Sequence, residues 1–177
     1  AKPAKAIKPA LIRITPRAAH IGGELLVTFA GKGFTPDTQA MASHPGLKVE
    51  LIKSSVKPTA ARVKITASAE VPRGAHEVWL KSAAGESARL KIYADDIAPT
   101  ITQAADFKAA PLSVPSLSAS LWGTLTEIGQ HDAYRFKAKA GEELVLDLAV
   151  AQVGSLAKSP TLEIMDTNRT VLAVNRG

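Results

Sequence analysis

Short runs in which apolar and polar residues alternate constrain the fold of this chain more than any other feature. In one such run, Val63, Ile65 and Ala67 alternate with charged or hydroxyl residues. A period of two places successive side chains on opposite faces of a strand, so one face of each run points to a core. Turns rich in Gly and Pro separate the runs, and this regular spacing predicts an antiparallel β-sandwich. The runs are Ala10–Ile14, Glu24–Ala30, Leu47–Lys53, Arg62–Ala67, Ala75–Ser82 and Ser87–Tyr93.

The same pattern returns in the second half of the chain, within Gly123–Val150. Tyr134, Phe136 and Ala138 alternate there with basic residues, and a turn follows at Ala140-Gly141. Beyond the turn, alternate positions are again apolar. This arrangement predicts a β-hairpin with one buried face. The apolar residues after the turn are Leu144, Leu146, Leu148 and Val150.

Helix-forming patterns are nearly absent from the chain. Only Thr102–Ala110 has the pattern of a short helical turn, and Pro111 limits it. Hydrophobic residues make up 46% of the chain, and it contains no cysteine, so packing without disulfides must stabilise the fold. No apolar run approaches the ~18–20 residues that a membrane-spanning helix requires. We therefore predict an all-β protein without a membrane span.

The chain is basic, with a net charge of +6 and a pI near 9.7. Such a charge is compatible with a nucleic-acid partner. However, the basic residues alternate with apolar ones along the predicted strands, as Arg135, Lys137 and Lys139 do. Charged residues on the solvated face of a strand also protect sheet edges from aggregation. We interpret the positive charge in this way and predict no nucleic-acid partner.

Five short segments of the first half of the chain form a recognisable series. They are Ile14-Thr15-Pro16, Gly22–Thr28, Gly31–Phe34, Val71–Val78 and Gly85-Glu86-Ser87. With these segments the chain from Leu11 to Tyr93 resembles an IPT/TIG domain, a family that implies an immunoglobulin-like sandwich found in receptors and in many exported bacterial proteins. Phe34 would then anchor its loop in the core. Gly31-Lys32-Gly33 also has the composition of a phosphate-binding loop, but no helix follows it, which disfavours that interpretation.

The second half of the chain combines Asp132-Ala133-Tyr134-Arg135-Phe136 with a following Ala140-Gly141-Glu142. Further segments belong to the same pattern: Val114-Pro115, Leu121–Leu125, Gly154-Ser155, Pro160-Thr161-Leu162, Ile164-Met165-Asp166 and Val171-Leu172-Ala173. With these segments the chain from Pro111 onwards resembles the bacterial pre-peptidase C-terminal (PPC) family. The family implies a jelly-roll-like β-sandwich that serves secreted or surface enzymes as a non-catalytic binding or maturation module.

Three departures from the PPC pattern affect which properties of the family can be expected of this chain. Ala98–Thr102 stands where family members often have an acidic opening, and Asn175-Arg176-Gly177 stands where they often have acidic residues. Both departures remove carboxylates, which weakens the expectation that calcium binds. The chain also stops at Gly177, where the family continues through several strands. We therefore expect a fragment of a larger protein, or a sheet that another chain completes by strand addition.

Candidate metal ligands are few. Asp132 and Asp166 have the hard oxygen donors that calcium prefers, but the simpler interpretation is that each accepts backbone N–H groups in a turn. Asp166-Thr167-Asn168 is then a hairpin turn between two strands. His44 with Met41 is a candidate copper site, since copper favours imidazole and thioether ligands. An ordinary loop histidine explains the same residue, and the four histidines lack paired metal-ligand spacing.

No serine, histidine or carboxylate pattern indicates a catalytic site. Trp79 and Tyr93 instead fall on the outward positions of their strands, as exposed contact residues would. They are our candidate binding residues, for a sugar ring or a peptide.

Together these patterns predict two β-sandwich domains in tandem, at residues 10–94 and 111–177. Residues 1–9 would be a flexible lead-in and residues 95–110 a linker. We expect a non-catalytic binding or accessory module of an exported or cell-surface bacterial protein, contacting polysaccharide or protein, with no required cofactor. The alternative is an assembly subunit whose incomplete second sandwich pairs with another chain.

Overall fold

A computed structural model describes residues 7–102, 110–125, 127–155 and 159–176 of the chain. Helical structure in these ranges is limited to two single 3₁₀ turns, Lys53–Ser55 and Ala151–Val153. Strands supply the regular structure everywhere else in the described residues. The predicted all-β, β-sandwich fold class is therefore confirmed. No helix in the described ranges has the length and hydrophobicity needed to cross a membrane.

The first region of the molecule is a sandwich of two sheets. Its strands are β1 (Ala10–Thr15), β2 (Ala18–His20), β3 (Glu24–Lys32), β4 (Gln39–Ala42), β5 (Leu47–Leu51), β6 (Ala60–Ala67), β7 (Gly74–Ser82), β8 (Gly85–Glu86) and β9 (Leu90–Asp95). The first sheet has the order β1-β3-β6-β5 and is antiparallel throughout. The second sheet has the order β2-β9-β7-β4, with β8 against the end of β7. Only β2 and β9 pair in parallel in this second sheet.

The core lies between the two sheets and is built from the alternate residues that the sequence predicts. In β3, Val27 and Phe29 are buried while their neighbours face outward. Burying each such side chain contributes about 1.5–3 kcal/mol relative to leaving it exposed. Phe34 is buried as well, as expected for a residue that anchors its loop. The other fully buried large side chains of the core are Val63, Ile65, Val78, Leu80 and Ile92.

Three strands of the sandwich, β2, β4 and the two-residue β8, have no clear signal in the sequence. Two of the three residues of β2 and two of the four residues of β4 are alanine, which has low strand propensity. Each becomes a strand because it completes the edge of the second sheet, β2 beside β9 and β4 beside β7. Their backbone hydrogen bonds, rather than their side chains, determine the conformation.

The second region contains six further strands in the described residues. They are β10 (Pro99–Ile101), β11 (Leu112–Ser113), β12 (Ser120–Trp122), β13 (Tyr134–Arg135), β14 (Thr161–Met165) and β15 (Val171–Arg176). They form three separate two-stranded ladders: β10 with β12 and β11 with β13 in parallel, and β14 with β15 antiparallel.

The hairpin predicted around Ala140-Gly141 forms only in part. The turn is present, with Gly141 at φ 81° and the Glu142 amide donating to the Lys139 carbonyl. However, Tyr134–Arg135 pairs with β11, and residues 136–150 belong to no strand. An isolated two-stranded hairpin is marginal in water, and no facing sheet among the described residues buries the apolar side of this one. The prediction that the segments on either side of this turn pair as a β-hairpin was therefore wrong.

The structure describes the predicted lead-in, linker and helical turn only in part. Of the lead-in, residues 7–9 are described, and Pro9 is fully buried. Of the linker, Pro99–Ile101 forms β10. The helical turn predicted at Thr102–Ala110 falls almost entirely on residues 103–109, outside the described residues.

Candidate functional site

Trp79 lies on the outer face of the second sheet. The neighbouring residues Val78 and Leu80 are fully buried in the core, so the alternation of β7 directs Trp79 away from it. Met41 on the edge strand β4 is directly opposite Trp79 in the ladder. The structure therefore confirms the outward position that the sequence predicts for Trp79.

Arg89 covers one face of the Trp79 indole. Its guanidinium carbon lies 4.1 Å from the ring centroid, in the geometry of a cation–π contact. The Glu77 carboxylate is 3.2 Å from Arg89 Nη1 and holds the guanidinium over the ring. We call Met41, Glu77, Trp79 and Arg89 the Trp79 surface.

The indole Nε1–H of Trp79 is buried and has no hydrogen-bond partner in the described structure. Leaving a buried donor unpaired costs about 1–3 kcal/mol. With Arg89 on one ring face, Trp79 does not offer that face to a sugar. Instead, tryptophan, arginine and methionine together are the composition that is enriched at protein interfaces.

Tyr93, the second candidate binding residue, belongs to a different part of the sheet. It pairs with Ala75, four residues along β7 from Trp79, which corresponds to about 13 Å at ~3.3 Å per residue. Its ring lies 6.5 Å from the Trp122 ring, centroid to centroid, at an interplanar angle of 43°. The second region therefore packs on Tyr93, and the two predicted residues do not form one platform.

Next to Tyr93, a carboxylate joins the two regions. Asp95 is buried, and its side chain accepts hydrogen bonds from Arg73 Nε at 3.0 Å and from Ser120 Oγ at 2.9 Å. Ser120 Oγ in turn accepts from the Trp122 indole N–H at 3.1 Å. By itself, burial would raise the pKa of Asp95. Its hydrogen bonds and the charge of Arg73 outweigh burial and hold that pKa below its ordinary value.

The 3₁₀ turn Ala151–Val153 provides a second contact between the regions. Arg17, which follows the end of β1, donates from Nη1 to the carbonyl oxygens of Val153 and Gly154. Val153 is itself buried. The two regions are thus joined at the end of the second sheet by both charged and apolar contacts.

The two candidate calcium ligands lie in different elements and have different surroundings. Asp166 is a turn residue, since its Oδ1 accepts the amides of Asn168 and Thr170, both at 2.8 Å. This turn joins β14 to β15, as predicted. Asp132 accepts from the Gln130 side-chain amide at 2.8 Å. The described residues contain no group of three or more carboxylates and histidines arranged to hold a metal.

His44 and His76 meet at one end of the sandwich, which their positions in the sequence do not suggest. Their rings are 5.8 Å apart in an edge-to-face contact. His44 Nδ1 accepts the Gly46 amide, and His76 Nε2 contacts the Pro72 carbonyl at 2.8 Å. A neutral His44 then carries its proton on Nε2, which leaves no free lone pair for a metal. Met41 is directed to the Trp79 surface instead, so the geometry disfavours the copper hypothesis.

The hairpin β14–β15 exposes apolar side chains. Every residue of β15 is exposed, and Leu172 retains 65% of its accessible surface. In the described residues, β14 is its only ladder partner, so the second edge of β15 is unpaired. Exposed apolar patches of this kind mark surfaces that another element covers.

Comparisons with known proteins add no relative: the chain matches no protein-family model, and no curated protein matches it significantly.

Proposed function

We propose that this chain is a non-catalytic binding or accessory module of an exported or cell-surface bacterial protein. The Trp79 surface is its contact site, and the partner is a protein. The observation that carries this proposal is the position of Trp79 outside the core, opposite Met41 in the ladder and covered on one ring face by Arg89. Tryptophan and arginine at the centre of a contact surface are the residues that most often dominate binding energy.

The choice of protein over polysaccharide follows from the geometry of the indole. Sugar-binding platforms need an open aromatic face, and Arg89 occupies one face of Trp79. A protein partner can instead pack against the exposed half of the guanidinium and the neighbouring methionine. The export expectation rests on the resemblance of the sequence to IPT/TIG and PPC domains.

Parallel peptide and glycan arrays test this proposal. We expect the unaltered chain to bind peptide probes, and Trp79→Ala and Arg89→Ala to abolish that binding. Arg62→Ala is the matched control, because Arg62 is an exposed arginine on the outer face of the other sheet. Binding to glycans alone, or peptide binding that survives Trp79→Ala, would contradict the proposal. Circular dichroism confirms that each variant retains its strands.

A second function is favoured by a separate observation, the unpaired edge of β15. In this alternative the chain is an assembly subunit, and a strand from another chain pairs with β15 and covers Leu172 and its neighbours. Light scattering over a range of concentrations should show association that the double variant Val171→Lys, Leu172→Lys abolishes. If the chain is monomeric at every concentration, the assembly alternative is wrong, and the proposal for the Trp79 surface is unaffected.

A further inference from the structure

A polar groove opens on the outer face of the first sheet, where the second region approaches it. Its volume is about 340 Å³. β1 and β3 supply four lining residues, with Thr15 opposite Thr28 and Arg13 opposite Ala30 in the ladder. Thr124 of the second region supplies the fifth. The groove is therefore a composite of both regions and is separate from the Trp79 surface.

The lining of this groove is cationic and rich in hydroxyl groups. It contains one guanidinium and three threonine hydroxyls, and no carboxylate of the described residues lines it. Arg13 is exposed and has no ion-pair partner in the described part of the chain. Arg73 and Arg89, by contrast, each face a carboxylate at 3.0–3.2 Å. The small side chain of Ala30 leaves space beside the free guanidinium.

We propose that this groove binds an acidic sugar residue, with the sugar carboxylate on Arg13 and its hydroxyls on the threonines. The guanidinium fork matches a carboxylate in geometry and charge. A threonine hydroxyl both donates and accepts, as the hydroxyls of a sugar do. The groove volume lies at the low end of the ~300–1,000 Å³ of small-molecule sites, which suits a single sugar unit.

An acidic peptide fits these observations less well. Acidic peptide motifs are recognised by clusters of arginines, whereas the lining of this groove contains one arginine. This groove lies on the face of paired strands, and alanine is its only apolar residue among those described. The inference goes beyond the proposed function, because it assigns a second ligand class to a second surface.

Titration of the chain with glucuronate, followed by amide chemical shifts, tests this inference. We expect shifts at Thr15, Thr28 and Thr124. Glucose should bind roughly 10- to 100-fold more weakly, because it lacks the charged hydrogen bond. Arg13→Gln should weaken glucuronate binding by the same factor, and Thr124→Val should weaken it severalfold. Lys48→Gln is the control and should leave the affinity unchanged, because Lys48 is an exposed cation on β5, at the opposite edge of the same sheet.

Each contrary result overturns the assignment. Equal losses in Arg13→Gln and Lys48→Gln would show attraction to the whole basic face rather than to the groove. Sodium sulfate that binds as tightly as glucuronate would show a simple anion site without sugar recognition. Binding of an acidic peptide but not of glucuronate would replace the sugar with a protein ligand. These results are independent of Trp79→Ala, so the groove and the Trp79 surface are tested separately.

Discussion

The two regions of this chain have similar alternating sequences, but only the first buries its apolar set. In the first region, two sheets face each other, and side chains such as Phe29 and Ile65 are fully buried between them. In the described part of the second region, three short ladders stand without a facing sheet, and Leu172 remains 65% exposed. Alternation therefore predicts which residues share a face, whereas burial of that face requires a second sheet.

The two regions also differ in how their strand edges are paired. The sandwich satisfies most of its backbone groups within two sheets of four or more strands. Among the described residues, β15 leaves one edge unpaired and projects apolar side chains on both of its faces. The second region is consequently the part of the molecule whose structure depends most on what surrounds it.

The largest expected difference between the regions comes from truncating one apolar side chain in each. Phe29→Ala should lower the free energy of unfolding by about 3–5 kcal/mol, because it opens a cavity in a closed core. Val174→Ala in β15 should change it by less than ~0.5 kcal/mol, because the side chain is already exposed. Urea denaturation followed by circular dichroism measures both. Similar losses would show that the second region has a core of its own.

Breaking the hydrogen-bonded contact between the two regions at Asp95 should have an intermediate effect on the free energy of unfolding. Ser120→Ala removes the hydroxyl that links Asp95 to the Trp122 indole, at a cost of roughly 1–3 kcal/mol for the groups left unpaired. We expect faster proteolysis of the second region at Arg135, while the sandwich remains intact. Ser116→Ala, at an exposed serine four positions earlier in the chain, is the matched control. Equal digestion rates for the two variants would refute the role of Ser120.

The pH dependence of stability should follow Asp95. Its folded pKa lies below the ordinary value of 3.8, so its contribution is fully present above that pH. The contribution is lost as the pH falls below 3.8 through the folded pKa, because the protonated acid no longer pairs with Arg73. Between about pH 6 and pH 2, the free energy of unfolding of Asp95→Asn should therefore fall less steeply below pH 3.8 than that of the unaltered chain. If the free energy of unfolding depends on pH in the same way in the unaltered chain and in Asp95→Asn, Asp95 is not the group responsible.

The smallest expected effect concerns the Trp79 surface. Arg89→Ala removes the side chain that covers the ring and should cost about 0.5–1 kcal/mol, the size of an exposed cation–π contact. The exposed indole should also emit at longer wavelength. Measuring in a Trp122→Phe background assigns the emission to Trp79. An unchanged spectrum would mean that Arg89 does not cover the ring in solution.

Much of the first region could be predicted from the sequence, because most of its longer strands carry their own alternation. The runs containing Val27 and Val63 occupy the predicted strands, and Trp79 lies outward as predicted. β2 and β4 could not be predicted, because their alanine-rich residues become strands only through hydrogen bonds to β9 and β7. The same limit applies to the groove, since Arg13 and Thr124 are brought together by packing between the regions.

By itself, the sequence determined the all-β class, many of the turns and the inward or outward direction of most side chains in the predicted strands of the first region, although a bulge in β1 exposes both Ile12 and Arg13. These properties depend on neighbours one or two residues away, through backbone sterics and the two-residue period of a strand. Only the tertiary structure decided that Arg89 covers Trp79, that Asp95 joins the regions, and that residues 136–150 form no ladder. Each of these outcomes depends on whether a distant segment supplies a charge, a donor or a facing sheet, and no local pattern contains that information.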